Sequence, residues 1–160
     1  MKRKLLSVLL LTAAMAGAIA LGCRAAHAVD GSASAAGTPG ETSSMKIRIK
    51  LDNETLTATL ADNATSRDFV SLLPLTLTLK NYASTEKISY LARKLSTEGA
   101  PAGCDPDPGD ITYYAPWGNL AIFYKDFGYS DGLIKLGKVD GDAGALNTSG
   151  ELKATIELIK

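Results

Sequence analysis

Arg93 and a dense run of aromatic rings are the residues of this sequence best equipped for chemistry. Beyond the N-terminal segment there are three arginines, Arg48, Arg67 and Arg93. Arg48 alternates with apolar residues on a strand-like stretch, and Arg67 falls on a helical pattern. Arg93 follows a strand and precedes a long loop, where functional groups concentrate. A guanidinium there is a permanently charged fork of donors. The bland alternative is a solvated loop residue paired with Glu98. Seven of the ten aromatic residues lie in one stretch: Tyr113, Tyr114, Trp117, Phe123, Tyr124, Phe127 and Tyr129. Such rings dominate burial wherever they sit, so the stretch either anchors the core or lines a pocket. Strand alternation puts Tyr113 and Tyr114 on opposite faces, and likewise Phe123 and Tyr124. One of each pair is then core and the other is free to face a groove. Trp117 sits in the tight connection Pro116-Trp117-Gly118, either as a cap over the end of the fold or as a stacking surface. The candidate ligand-binding residues are therefore Arg93, Glu98, Tyr114, Trp117 and Phe123. They suit a peptide or a small molecule.

Other reactive groups are sparse. A nucleophilic Cys104 would want a histidine partner, and His27, the only histidine, lies in the N-terminal segment. Cys104 reads as a loop residue, and with Cys23 removed or acylated no internal disulfide is expected. Asp105, Asp107 and Asp110 cluster, and hard cations favour clustered carboxylates. The spacing matches no calcium loop, and Pro106 and Pro108 point to a rigid turn. No metal and no cofactor is expected.

The elements that must position these residues are mostly strands. Ile47, Ile49 and Leu51 alternate with Lys and Arg. After the turn Asp52-Asn53-Glu54, Leu56, Ala58 and Leu60 alternate with Thr, completing a half-buried hairpin. Thr65-Ser-Arg-Asp68 has the form of a capping box. Phe69, Val70, Leu72 and Leu73 give the helix an apolar face, and Pro74 stops it. Leu75, Leu77 and Leu79 mark a third strand, and Ile88–Leu91 a fourth. Residues 96–109 form a long irregular loop. Ile111–Ala115, Leu120–Lys125 and Leu133–Val139 are strands, residues 141–149 are a loop with room for one helical turn, and Lys153–Ile159 is the last strand. The fold class is mainly β: about eight short strands with one helix after the first hairpin suggest a closed or nearly closed barrel. Period alone leaves a sandwich open.

The N-terminus has a different character. Lys2, Arg3 and Lys4 precede an apolar run from Leu5 to Leu21, ending among small residues. That is the pattern of a secretory signal peptide over residues 1–28, with Ala26-His27-Ala28 as the cleavage site. A retained membrane helix is the competing reading, but the run is short of the ~20 apolar residues of a span. A second processing route is open: Ile19-Ala-Leu-Gly-Cys23 resembles a bacterial lipoprotein box, with residues 1–22 removed and Cys23 lipidated. Residues 29–44 are small and polar, a composition that cannot offset the entropy of ordering, and read as a linker. The folded domain is expected over residues 45–160. The implied location is the periplasm or cell envelope, with membrane contact only through the signal or a lipid anchor.

Charge narrows the partners. The chain has 17 basic and 17 acidic residues. Residues 1–28 carry four bases and no acid, which leaves 13 against 17 after processing. No basic stripe remains, and nucleic acid is not an expected partner.

Three segments carry a family resemblance: Tyr90-Leu-Ala-Arg-Lys-Leu95, Glu98-Gly-Ala-Pro-Ala-Gly103, and above all Gly109-Asp-Ile-Thr-Tyr-Tyr-Ala-Pro-Trp-Gly-Asn-Leu-Ala-Ile-Phe-Tyr124. With them the chain resembles the small bacterial cyclophilin-like domain family over about residues 45–159. The resemblance implies a cyclophilin-like closed β-barrel. The activity it brings to mind is peptidyl-prolyl isomerisation. Such a catalyst must favour the twisted amide over the planar one, against a barrier of ~18–20 kcal/mol. An apolar pocket would hold the proline ring, and an arginine would hydrogen-bond the prolyl region. Arg93 is the match to that arginine. True cyclophilins also use a glutamine and a histidine in the pocket. This sequence has no glutamine and no histidine beyond His27. Three functions are thus in play: a ligand-binding barrel, a weak isomerase using Arg93, and a structural envelope module.

Overall fold

A computed structural model describes residues 44–160. The expected signal peptide, the expected lipoprotein box with Cys23 and nearly all of the expected linker lie outside the described residues. Ten strands form, because alternating apolar and polar residues present one face to a shared core. In chain order they are β1 (Met45–Lys50), β2 (Thr55–Leu60), β3 (Leu75–Tyr82), β4 (Glu86–Tyr90), β5 (Gly103–Cys104), β6 (Asp110–Tyr114), β7 (Asn119–Phe123), β8 (Ser130–Asp131), β9 (Leu133–Val139) and β10 (Leu152–Leu158). Eight of them close into a barrel in the order β1-β10-β3-β4-β7-β6-β9-β2. Every pairing in the barrel is antiparallel. The fold is mainly β, with a single α-helix among the described residues, as the strand pattern implies.

The interior is filled from all sides by inward residues. Ile47 and Ile49 of β1, Leu79 of β3, Leu120 and Ile122 of β7 and Ile156 of β10 are fully buried there. Helix α1 (Ala64–Val70) joins β2 to β3, which are not neighbours in the barrel, so it crosses one end. Phe69 drops from it into the core. The helix begins one turn position earlier than the Thr65 capping box suggests. Asn63 is the cap, its Oδ1 accepting from the Ser66 amide at 2.8 Å. Thr65 is instead buried. The helix also ends at Val70, well before Pro74; Leu72 and Leu73 continue in tight turns onto Phe69 and Val70 carbonyls.

Two further boundaries differ from the sequence reading. β3 runs on to Tyr82 and β4 starts at Glu86, because the two pair across a short turn with Lys80 opposite Ile88 and Tyr82 opposite Glu86. The long loop before β6 contains β5, which pairs with β8 as a separate two-stranded sheet. Cys104 therefore sits in a short strand rather than in a loop. Residues 144–146 form the single 3-10 turn of the following connection.

β7 is buried along its whole length. Leu120 and Ile122 face the barrel core, while Ala121 and Phe123 join Leu133 in a second, smaller cluster. Alternation places that cluster on the outer surface of the barrel. Strands covered on both faces read as continuous apolar runs, and Leu-Ala-Ile-Phe is such a run.

Candidate functional site

Outward residues of four neighbouring strands converge on this second cluster. β4 supplies Glu86, β7 supplies Asn119, Ala121 and Phe123, β6 supplies Tyr114 and β9 supplies Leu133. The register makes the convergence possible: Glu86 lies opposite Phe123, and Tyr114 lies opposite both Asn119 and Leu133. Tyr82 at the end of β3, Trp117 on the β6–β7 turn, Phe127 on the loop after β7 and Ser130 of β8 complete the walls. The resulting cleft has a volume of about 190 Å³. A dry engineered cavity of ~150 Å³ accommodates benzene, and drug-sized sites run to ~300–1,000 Å³. This one has room for a single ring or side chain.

Trp117 reaches the cleft because its turn doubles back. The Gly118 amide bonds the Tyr114 carbonyl at 2.9 Å, and Gly118 adopts φ +73°, a left-handed conformation glycine tolerates best. The indole is 46% exposed. It stands edge-on to Tyr82 at 5.5 Å and 89°, and to Tyr114 at 5.4 Å and 80°. Such perpendicular pairs are favoured by the ring quadrupoles. Trp117 is thus a partly exposed wall of the cleft. On the opposite wall Phe127 lies 5.8 Å from Phe123.

The adjacent aromatics divide as alternation requires. Tyr113 is wholly buried in the barrel, its hydroxyl accepting from the Leu95 amide at 3.1 Å. Tyr114 turns outward to the cleft. Phe123 also faces the cleft, while Tyr124 packs against the barrel core and bonds Asn81 Oδ1 at 3.2 Å.

Two polar groups give the cleft its chemistry. Asn119 is 2% exposed. Its amide nitrogen donates to the Leu120 carbonyl at 3.3 Å, and its Oδ1 has no protein partner. A buried acceptor without a donor carries a desolvation cost of roughly 1–3 kcal/mol. Glu86 is partly buried against the rings, and that burial pushes its carboxyl up to about 7. No lysine or arginine lines the cleft.

Arg93 and Glu98, expected with these rings, are not among the lining residues. Arg93 is held by helix α1 instead of by Glu98. Its guanidinium grips Asp68 at 2.9 Å and 2.5 Å and donates to Ser71 Oγ at 2.9 Å. Asp68 also accepts from the Ser96 amide at 2.7 Å. Led by the Arg93 hydrogen bond, these contacts hold the Asp68 carboxyl at about 2. The set ties the segment after β4 to the helix. Tyr114, Trp117 and Phe123 are brought together as the sequence suggests. Phe127 of the aromatic run joins them, and Tyr82, Glu86, Asn119, Ala121, Ser130 and Leu133, not among the expected site residues, complete the cleft. The signal for Asn119 was available: an amide inside an apolar strand needs a reason.

The acidic turn has its own partners. Asp110 is fully buried, with Lys135 Nζ at 2.6 Å and Lys138 Nζ at 3.7 Å. The Asp107 amide also donates to it at 3.1 Å. Cys104 is half-buried, and burial first, then the Asp110 charge, pushes its thiol up. That direction opposes thiolate formation and a nucleophilic role.

The described residues thus form a small closed antiparallel barrel with one helix between β2 and β3 and a cleft on its outer strand faces. The chain belongs to the cyclophilin-like family, whose sequence profile matches residues 49–157. The solution structure of a hypothetical protein from Archaeoglobus fulgidus is similar, with a TM-score of 0.58 at 16% identity. The match covers 72% of this chain and 95% of that one. At that identity the likeness concerns the fold. A comparison with curated proteins found no match.

Proposed function

We propose that this domain is a binding module whose outer-face cleft takes one ring-sized or side-chain-sized group of a peptide or small molecule. The observation that carries the reading is the unpartnered Oδ1 of Asn119, buried in a cleft walled by Tyr82, Tyr114 and Trp117. A ligand donor there would remove a standing cost, and the rings would supply apolar contact. The isomerase reading draws no support from Arg93, whose guanidinium is engaged by Asp68 away from the lining residues. A purely structural module has no use for exposed rings around a concavity.

Trp117 is the only tryptophan, so its fluorescence reports on the cleft directly. Titration of the full chain with small peptides and amines is expected to give a saturable change, and Tyr114→Ala is expected to weaken it by tenfold or more. A flat response across peptides, amines and neutral compounds alike would remove the cleft as a site. A protease-coupled assay with proline peptides is expected to show background rates.

We also propose that the domain acts outside the cytoplasm, on the strength of the N-terminal signal pattern. Intact mass distinguishes the routes: an N-terminus at Val29 marks a soluble product, and a diacylglyceryl adduct on Cys23 marks a lipoprotein. An unprocessed chain in the cytoplasm would reject both.

A further inference from the structure

The chemical class of the ligand follows from which groups the cleft offers and which it lacks. Resting on the binding reading above, we infer that the cleft selects an organic cation with N–H donors, an alkylammonium or a guanidinium. Three observations converge on this class. First, Tyr82 and Tyr114 stand nearly perpendicular to Trp117 at ring separations of 5.5 Å and 5.4 Å. All three rings line the cleft, and a cation that settles over the face of any of them is attracted by its quadrupole. Second, the carboxyl of Glu86 is the one acidic side chain lining the cleft, and no basic residue lines it to compete. Its strand neighbours across the sheet are Tyr82 on β3 and Phe123 on β7, neither of them a cation. Third, Asn119 Oδ1 is a buried acceptor awaiting a donor. An N–H-bearing cation can donate to the Glu86 carboxylate and lie against the rings; a neutral ligand forgoes that charge-assisted bond.

Volume sets the size of the group. About 190 Å³ holds the end of a lysine- or arginine-like chain, not a whole peptide. The same chemistry occurs on a free amine and on a basic peptide side chain, and the two sources need separate probes.

The test uses the full chain at pH 8, read by Trp117 fluorescence. The probes are n-butylammonium, n-butylguanidinium, their neutral counterpart n-pentanol, and blocked Gly-Lys-Gly against blocked Gly-norleucine-Gly. The cations are expected to bind at least tenfold more tightly than n-pentanol, and Glu86→Gln is expected to erase that preference when cations and n-pentanol are both titrated against the variant. Tighter binding by the lysyl peptide than by n-butylammonium assigns the site to basic side chains, and the reverse assigns it to free amines. Equal binding of cations and n-pentanol by the wild-type protein overturns the cation assignment, whatever the variant does, and leaves the cleft as an apolar site. Silence from every probe overturns the binding reading itself.

Discussion

Glu86 shows how one carboxyl couples the cleft to pH. Burial raises its folded value to about 7 from an ordinary value near 4.5. A raised acid favours folding most when protonated. Its contribution is therefore complete below about pH 4.5 and is lost as pH rises through about 7. The expected size is on the order of 1 kcal/mol after allowance for solvent screening. Thermal unfolding at pH 5 and pH 8 should show this loss, and Glu86→Gln should flatten that part of the profile. An unchanged profile in the variant would remove Glu86 as its source. Arg93 makes the opposite kind of prediction. Asp68 is held down at about 2 chiefly by the Arg93 hydrogen bond, so this contribution persists above about pH 4 and fades as pH falls through 2. Arg93→Ala should slightly lower the melting temperature at neutral pH, reduce that acid dependence while the Ser96 amide still holds Asp68, and leave ligand titration at Trp117 unchanged. A loss of binding in this variant would bring Arg93 back to the site.

Elements place these residues, and one strand carries an unusual tether. Alternation on β4 sends Glu86 outward and its neighbour Lys87 inward, where Lys87 is 0% exposed. Its ammonium donates to the Thr148 carbonyl at 2.9 Å and the Gly150 carbonyl at 2.8 Å. Two carbonyls on the approach to β10 are thus satisfied by a residue that desolvation discourages from carrying charge. Lys87→Met keeps the apolar stem but strands both carbonyls. It should cost roughly 1–3 kcal/mol in denaturant titration. A stability equal to wild type would mean water replaces the amine. The elements also show how much was legible in sequence. Strand alternation separated Tyr113 from Tyr114, and the apolar pattern stopped by Pro74 placed the helix between β2 and β3. It missed Glu86 because β4 was started at Ile88. Glu86 lies two residues before Ile88 and shares its face, but the short turn that lets β3 and β4 extend is a pairing fact, not a periodicity. The helix start also differs: Asn63 caps it through the Ser66 amide, and Thr65 is buried.

At the scale of the described domain, closure of the barrel fixes which strands are neighbours. The barrel is sealed where β2 meets β9 through the short register Ala58–Val139, Thr59–Lys138 and Leu60–Gly137. At Gly137 an added Cβ would lie 2.3 Å from the Thr59 carbonyl oxygen and 2.7 Å from Leu60 Cα. Backbone cannot yield as a flexible side chain can. Gly137→Ala should therefore open the seam and cost about 2 kcal/mol or more, measured by denaturant unfolding. Hydrogen exchange should rise first in β2 and β9. Unaltered exchange there would show that the strands shift without parting. The sequence by itself determined the local facts: short alternating strands, a single helix, the division of the adjacent tyrosines, and a central segment distinctive enough to mark the family. Only the tertiary structure decided that Glu86, and not Glu98, meets the rings, and that Arg93 serves helix α1 through Asp68. Periodicity states which face a side chain takes on its own strand. Which distant strand lies beside it, and in what register, depends on closing loops and burying a shared core.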